Sequence, residues 1–137
     1  VKGGAQVEVE VELSRIIINE TSDQQVIVLK ERDGERGFPI VIGIVEIFAI
    51  DRRLKGLVPP RPMTHDLLEQ ILTALGAKIE RIVVTDLLHH TFYAKIYLRY
   101  NGKVVEIDSR PSDAIALSVA AKAPIFVAEH VFDKASQ

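Results

Sequence analysis

The sequence predicts a single α+β domain: a mostly antiparallel or mixed sheet packed with three main helices plus a short C-terminal helix. Three observations carry that prediction. Val7, Val9, Val11 and Leu13 alternate with Glu8, Glu10, Glu12 and Ser14, the period of two that turns one strand face to the core and the other to water. Asn101-Gly102 stands between two strand-like runs and is the dipeptide that closes a two-residue hairpin. Asp108 to Leu117 hands a strand over to a stretch in which only Ser118 is polar from Ala114 to Ala121, so neither face suits water and the helix is expected to lie buried between layers.

Composition limits what such a domain can be. The 137 residues have the length of one domain, 1–137 with a core of about 7–135, and 47% hydrophobic residues is ordinary for a globular chain. Acidic residues outnumber basic ones 19 to 17, which excludes a global positive field drawing the chain to nucleic acid or anionic lipid; any phosphate-binding surface must be local. The absence of cysteine excludes disulfides, thiolate nucleophiles and Cys-based zinc sites, and fits a reducing compartment. The longest apolar run, Pro39 to Ile50, is broken by Glu46 and falls short of the ~20 residues that cross a bilayer, so no membrane span is expected. Val1-Lys2-Gly3-Gly4 lacks the apolar stretch of a signal peptide, and the expected compartment is the cytoplasm. The chain does not open on Met, which leaves room for a further domain beyond either end.

In order, the first strand loses its alternation at Arg15-Ile16-Ile17-Ile18, where a bend or bulge is expected. Asn19 to Asp23 reads as a turn, Val26 to Leu29 as a second strand, Asp33 to Gly37 as a loop and Phe38 to Ile42 as a third strand. After Gly43 the period turns helical through Ile44, Ile47, Ile50 and Leu54, and Gly56 closes the helix. Val58-Pro59-Pro60-Arg61-Pro62 is a stiff connector holding Arg61, because each proline fixes its own φ and disfavours helix before it. Thr64 is expected to cap a second helix striped by Leu67, Leu68, Ile71, Leu72 and Leu75 and ended by Gly76. Ile79 to Thr85 reads as a buried strand ending at Asp86. The Asn101-Gly102 turn then sets Leu98 opposite Val105 and Ile96 opposite Ile107 on the core face, with Lys95 opposite Asp108 on the other. Pro111 suits a first helical turn, Pro124 to Val127 forms a last strand, and a terminal helix starts near Glu129.

The polar residues at element ends are Glu46, Arg61, His65, Asp66, Asp86, Arg110 and Asp113. Glu46 sits among Ile44, Val45, Ile47 and Phe48, where a carboxylate must be paired, protonated or held at a helix start by the dipole. Its plain reading is a helix-start charge, its functional one a ligand or catalytic group, and Asp113 carries the same two readings. Asp86 reads equally as a strand-end turn residue. His65 follows the proline-stiffened Arg61 and precedes Asp66; its plain reading is a first-turn polar residue. His89 and His90 would point to opposite faces on a strand and share a metal only in a turn. No Gly-x-Ser-x-Gly and no Gly-Lys-Ser/Thr is present, which excludes the common serine-nucleophile and phosphate-loop motifs. Carboxylates, one histidine and two arginines converging on helix mouths would make a phosphate-and-metal corner.

Two blocks are more specific. Arg61-Pro62-Met63-Thr64-His65-Asp66-Leu67-Leu68 and Asp108-Ser109-Arg110-Pro111-Ser112-Asp113-Ala114-Ile115-Ala116-Leu117 resemble the signature stretches of the bifunctional nuclease domain family. Ile42-Gly43 with Glu46, Thr85-Asp86-Leu87, Thr91-Phe92-Tyr93-Ala94 and Ala123-Pro124-Ile125-Phe126-Val127 support the likeness, while Leu88-His89-His90 and Ser109 depart from it. The resemblance implies a compact α/β domain hydrolysing phosphodiester bonds of RNA and DNA. An enzyme that cuts DNA cannot use a 2′-OH as nucleophile, so water attacks, and a bound Mg or Mn ion is expected. On matched positions the expected assignments are Glu46, Asp86 and Asp113 on metal, His65 with Glu46 and Asp113 in catalysis, and Arg61 and Arg110 on phosphate. Nucleic acid is the expected partner and, from exposed strand edges, a homo-oligomer. The competing readings are a non-catalytic oligomeric binding or regulatory module, which the acidic balance favours, and a small-phosphate hydrolase.

Overall fold

A computed structural model describes residues 7–135; the reading of Val1-Lys2-Gly3-Gly4 lies outside them. The chain runs β1 (Glu8–Ile17), β2 (Gln24–Glu31), β3 (Gly37–Gly43), α1 (Ile44–Leu54), α2 (Thr64–Ala74), β4 (Lys78–Leu88), β5 (Thr91–Tyr100), β6 (Lys103–Ser109), α3 (Pro111–Ala121), β7 (Ile125–Ala128) and α4 (Glu129–Ala135). The strands form one seven-stranded sheet in the order β3-β2-β1-β7-β4-β5-β6. The pairing of β4 with β7 is parallel, and the other pairings are antiparallel. This is the predicted α+β architecture, with the short helix α4 leaving β7 directly. No helix among the described residues is long and apolar enough to cross a membrane.

The expected break in β1 is a register shift between Leu13 and Arg15, which leaves Ser14 as the extra residue. β4 carries two such shifts and continues through Asp86 to Leu88, so Asp86 is inside a strand rather than at its turn. The turn is His89-His90, both left-handed at φ 50° and 65°, the pattern a tight two-residue hairpin demands.

The α3 helix rests on β4 and β5, with α1 and α2 both packed against it. Ala114, Ile115, Ala116, Leu117 and Ser118 are buried, as the all-round apolar sequence requires. From α1, Ile47 and Ile50 enter the same core, whereas Leu54 at its end stays exposed. The sheet curls so that its β3 edge meets β5: the Phe38 ring stacks on Phe92 at 5.5 Å and meets Phe132 of α4 edge-on at 5.4 Å. Arg36 clamps the corner, its guanidinium on Glu31 and Glu129 and lying 4.4 Å above the Phe132 ring.

Two expectations need correction. The hairpin register is as predicted, Leu98 with Val105, Ile96 with Ile107 and Lys95 with Asp108. Yet Ile96 and Leu98 are buried while Val105 and Ile107 are 40% and 41% exposed, because nothing in the described chain covers β6 from that side. Likewise the α2 stripe is genuine but uncovered: Leu67, Leu68, Ile71 and Leu75 are exposed, and α2 buries no residue fully.

Candidate functional site at three helix starts

All three longer helices begin alike. Gly43, Met63 and Arg110 occupy extended N-cap positions without a side-chain cap, and each helix carries an acid at its third residue: Glu46, Asp66 and Asp113. A carboxylate there is stabilised by the positive end of the helix dipole, by about 0.3–1 kcal/mol on a surface. What each carboxylate touches differs. Asp66 Oδ2 accepts the Met63 backbone N–H at 3.0 Å, and its other oxygen meets Arg53 at 3.3 Å. Thr64, expected as the cap, is therefore the first helical residue, and Asp66 closes the helix start instead. Both oxygens of Asp66 serve structure.

Asp113 and Glu46 face a shared centre. Arg110 Nε donates to Asp113 Oδ2 at 3.0 Å, its Nη2 lies 2.9 Å from the same oxygen, and that Nη2 stands 3.7 Å from Glu46 Oε1. The second oxygen of Asp113 lies 3.2 Å from His65 Nε2. An ionised carboxylate only accepts, so it orients the ring with Nε2 as donor and leaves Nδ1 as the other nitrogen. Asp113 is thus the hub of a chain Glu46, Arg110, Asp113, His65. Glu46 is held by close backbone approach at Gly43, where an added Cβ would come within 3.1 Å of its Oε1. The Glu46 and His65 side chains are 14% and 12% exposed, whereas Arg110 is 69% exposed, so the cation is the member reachable from solvent.

Two grooves meet at this chain, and Glu46 and Arg110 line both. One, of about 490 Å³, runs between the β3 edge and the β4–β5 turn and adds Asp23, His90, Thr91 and Ser112. The other, of about 550 Å³, runs between α2 and the β5–β6 hairpin, adding His65 and Asp113 at one end and Leu68, Ile71, Leu98 and Ile107 along its walls.

Of the sequence candidates, the structure brings together Glu46, His65, Arg110 and Asp113. It does not bring Asp86 to them: that carboxylate is 3.1 Å from His130 Nε2 of α4. Arg61 lies exposed in the connector before α2, and Asp66 is engaged as described. His90 was weighed only as sharing a metal with His89 in a turn; the structure makes that turn and sets His90 alone of the two on a groove. Ser112 was not among the site candidates. Among the described residues no three His, Cys, Asp or Glu side chains are grouped to hold a metal ion. Two carboxylates on one guanidinium nitrogen do suit Mg²⁺ or Mn²⁺, which bind through one or two carboxylates and complete their shell with water and phosphate oxygens. The fitting donors are Glu46 and Asp113, without Asp86.

A family model described as the bifunctional nuclease domain matches residues 27–137. An uncharacterised protein of Mycobacterium tuberculosis is 36% identical over 126 residues, which are 92% of this chain and 75% of that protein. Bifunctional nuclease 1 of Oryza sativa subsp. japonica is 25% identical over 114 residues, 80% of this chain and 34% of that protein. Bifunctional nuclease 2 of Arabidopsis thaliana is 28% identical over 109 residues, 77% of this chain and 33% of that protein. The chain thus spans about a third of these plant relatives.

Proposed function

Because the chain belongs to the bifunctional nuclease domain family, we propose that the cluster at the three helix starts hydrolyses phosphodiester bonds of RNA and DNA. The observation that carries this reading is the continuous contact of Glu46, Arg110, Asp113 and His65 at the meeting of two grooves.

In this reading Arg110 leaves the carboxylates to take a non-bridging phosphate oxygen, and Arg61 of the connector takes a neighbouring phosphate. Asp113 keeps the imidazole of His65 oriented, and Nδ1 accepts a proton from the attacking water. The water oxygen bonds to phosphorus as the bond to the leaving sugar oxygen breaks, and that oxygen is protonated from solvent. Two carboxylates against one guanidinium leave the site negative, which repels phosphate. A divalent ion held by Glu46 and Asp113 would reverse that sign and lower the pKa of the attacking water.

The test is cleavage of labelled single-stranded RNA and DNA by highly purified protein with Mg²⁺, Mn²⁺ or EDTA, beside the doubly substituted Glu46→Gln, Asp113→Asn protein. The reading expects cleavage that EDTA abolishes and that falls at least ~100-fold in the variant, the usual weight of positioned acid–base groups. Equal cleavage by the variant removes the cluster from the chemistry. Hydrolysis of small phosphodiesters without polymer cleavage turns the assignment to a small-phosphate hydrolase, and no hydrolysis turns it to a binding module.

A further inference from the structure

The sheet ends at β6 on an edge with no strand partner among the described residues. That edge carries neither a proline nor a covering element, two of the usual protections against pairing with another chain. Val105 and Ile107 on its groove face are 40% and 41% exposed, and Leu68 and Ile71 of α2 stand half out of the groove beside it. A contiguous apolar face next to an open edge marks an interaction surface.

We infer that a second copy of this chain covers this face, its β6 pairing antiparallel with β6 about a two-fold axis at Glu106, and that Lys103 of each copy completes the catalytic cluster of the other. Backbone directions set the register. Tyr100 and Lys103 flank the two-residue turn as a hydrogen-bonded pair, so bonded and non-bonded pairs alternate along the hairpin. Val105 and Ile107 then direct their N–H and C=O at β5, whereas Val104, Glu106 and Asp108 direct theirs outward. An axis at Glu106 sets Glu106 opposite its own copy and Val104 opposite Asp108 of the second copy, so every outward residue finds a partner.

The same axis sets Val105 opposite Ile107 of the second copy in non-bonded pairs, where side chains approach most closely. This forms an apolar cluster on the groove face, roofed by the exposed side of both α2 helices. Shifting the strands by two residues shortens the overlap and sets Lys103 against Ile107 in one direction or Val105 against Ser109 in the other. The unfavourable contact is Glu106 with itself, which Lys95, 3.3 Å from Glu106, offsets.

Charge complementarity points to the same occupant. Lys103 falls opposite Ser109 of the second copy, the residue preceding Arg110. There an ammonium meets the end of the groove where the carboxylates of Glu46 and Asp113 outnumber the single guanidinium of Arg110. A chain with more acidic than basic residues thereby gains a second cation where a phosphate is to bind.

The interface is independent of the phosphodiesterase reading; only the role of Lys103 rests on it. Sedimentation of the purified protein is expected to give a dimer, and Ile107→Lys a folded monomer by circular dichroism. The chain has no cysteine, so Glu106→Cys gives an unambiguous cross-link: mild oxidation is expected to yield a covalent dimer, whereas Val104→Cys alone yields none. A monomer at tens of micromolar, or a dimer in which Val104→Cys rather than Glu106→Cys cross-links, overturns the interface. For the shared site, Lys103→Ala is expected to lower cleavage about tenfold, the loss of one charge-assisted phosphate contact. Mixing subunits of Lys103→Ala with subunits of Asp113→Asn is expected to restore activity, because each mixed dimer holds one complete site. Failure of mixing to restore activity while wild type cleaves and cross-linking succeeds overturns the role of Lys103 and leaves the interface standing. Absence of cleavage by wild type instead strikes the phosphodiesterase reading.

Discussion

The two edges of the sheet are finished in opposite ways. At β3, Pro39 removes a donor from the edge, Phe38 packs between Phe92 and Phe132, and Arg36 ties Glu31 of β2 to Glu129 of α4. At β6 the strand is exposed along nearly its whole length, and α2, across the groove from it, buries no residue fully. β3 carries no charged residue, whereas β6 sets Lys103, Glu106 and Asp108 among Val104, Val105 and Ile107. The difference is that β3 is followed by elements that fold back over it, while β6 leads straight into α3 and away. One edge belongs to the core of the chain, and the other stays open among the described residues.

That contrast predicts unequal costs for truncating an apolar side chain at the two edges. Phe38→Ala removes a ring that is 3% exposed, and it is expected to destabilise by about 3–5 kcal/mol in urea unfolding. Ile107→Ala on the bare edge is expected to cost about 1 kcal/mol or less at a dilution where the chain is monomeric. Comparable costs at both positions would mean that the β6 edge is covered within one chain after all.

Between the edges lie the helix starts, where Asp66 and Asp113 hold the same local position in different surroundings. Asp113→Asn is expected to lower cleavage at least ~100-fold with little change in melting temperature. Asp66→Asn is expected to cost about 1 kcal/mol of stability and leave cleavage near wild type. Exchange of these two phenotypes would show that Asp113 serves only its helix. Gly43→Ala presses on the Glu46 carboxylate from its own helix start, and it is expected to reduce turnover on the order of tenfold at unchanged melting temperature.

The smallest effect sharpens the closed edge. Hydrogen bonds from the Arg36 side chain and backbone hold the Glu31 carboxyl below its ordinary value of 4.5. A carboxyl whose folded pKa is depressed adds stability that is present above the unfolded value and is lost as pH falls through the folded one. The urea midpoint of wild type is therefore expected to exceed that of Glu31→Gln slightly at neutral pH, with the gap closing below about pH 4.5. On the open side the sign reverses. Lys95 is raised above 10.5 by its hydrogen bond and charge pairing with Glu106, so its contribution is present at neutral pH and fades as the solution becomes alkaline. A Glu31→Gln gap that persists unchanged into acid would remove the clamp from the closed edge.

Local chemistry made most of the architecture legible. Alternation, Asn101-Gly102 and Pro111 act over a few residues, and from them follow the strands, the hairpin register and the start of α3. Gly56 and Gly76 end their helices with φ at 73° and 82°, a conformation that side chains resist, so those boundaries were also readable. The stretch from Ala114 to Leu117 named its own burial, because no side of it offered a polar face. What only the tertiary structure decided is which apolar faces acquire a cover and which acids meet. The stripes on α2 and β6 read like core stripes because periodicity records that a face is apolar, not whether this chain or another lies over it. Glu46, Asp66 and Asp113 are locally equivalent third-position acids. Their roles diverge because Arg53 reaches Asp66, while Arg110 and His65 gather on Asp113 and Glu46. Asp86 was assigned to the cluster by its matched position in the family resemblance and is held by His130 instead. Distance through space, set by how α1, α2 and α3 lean together, separates them.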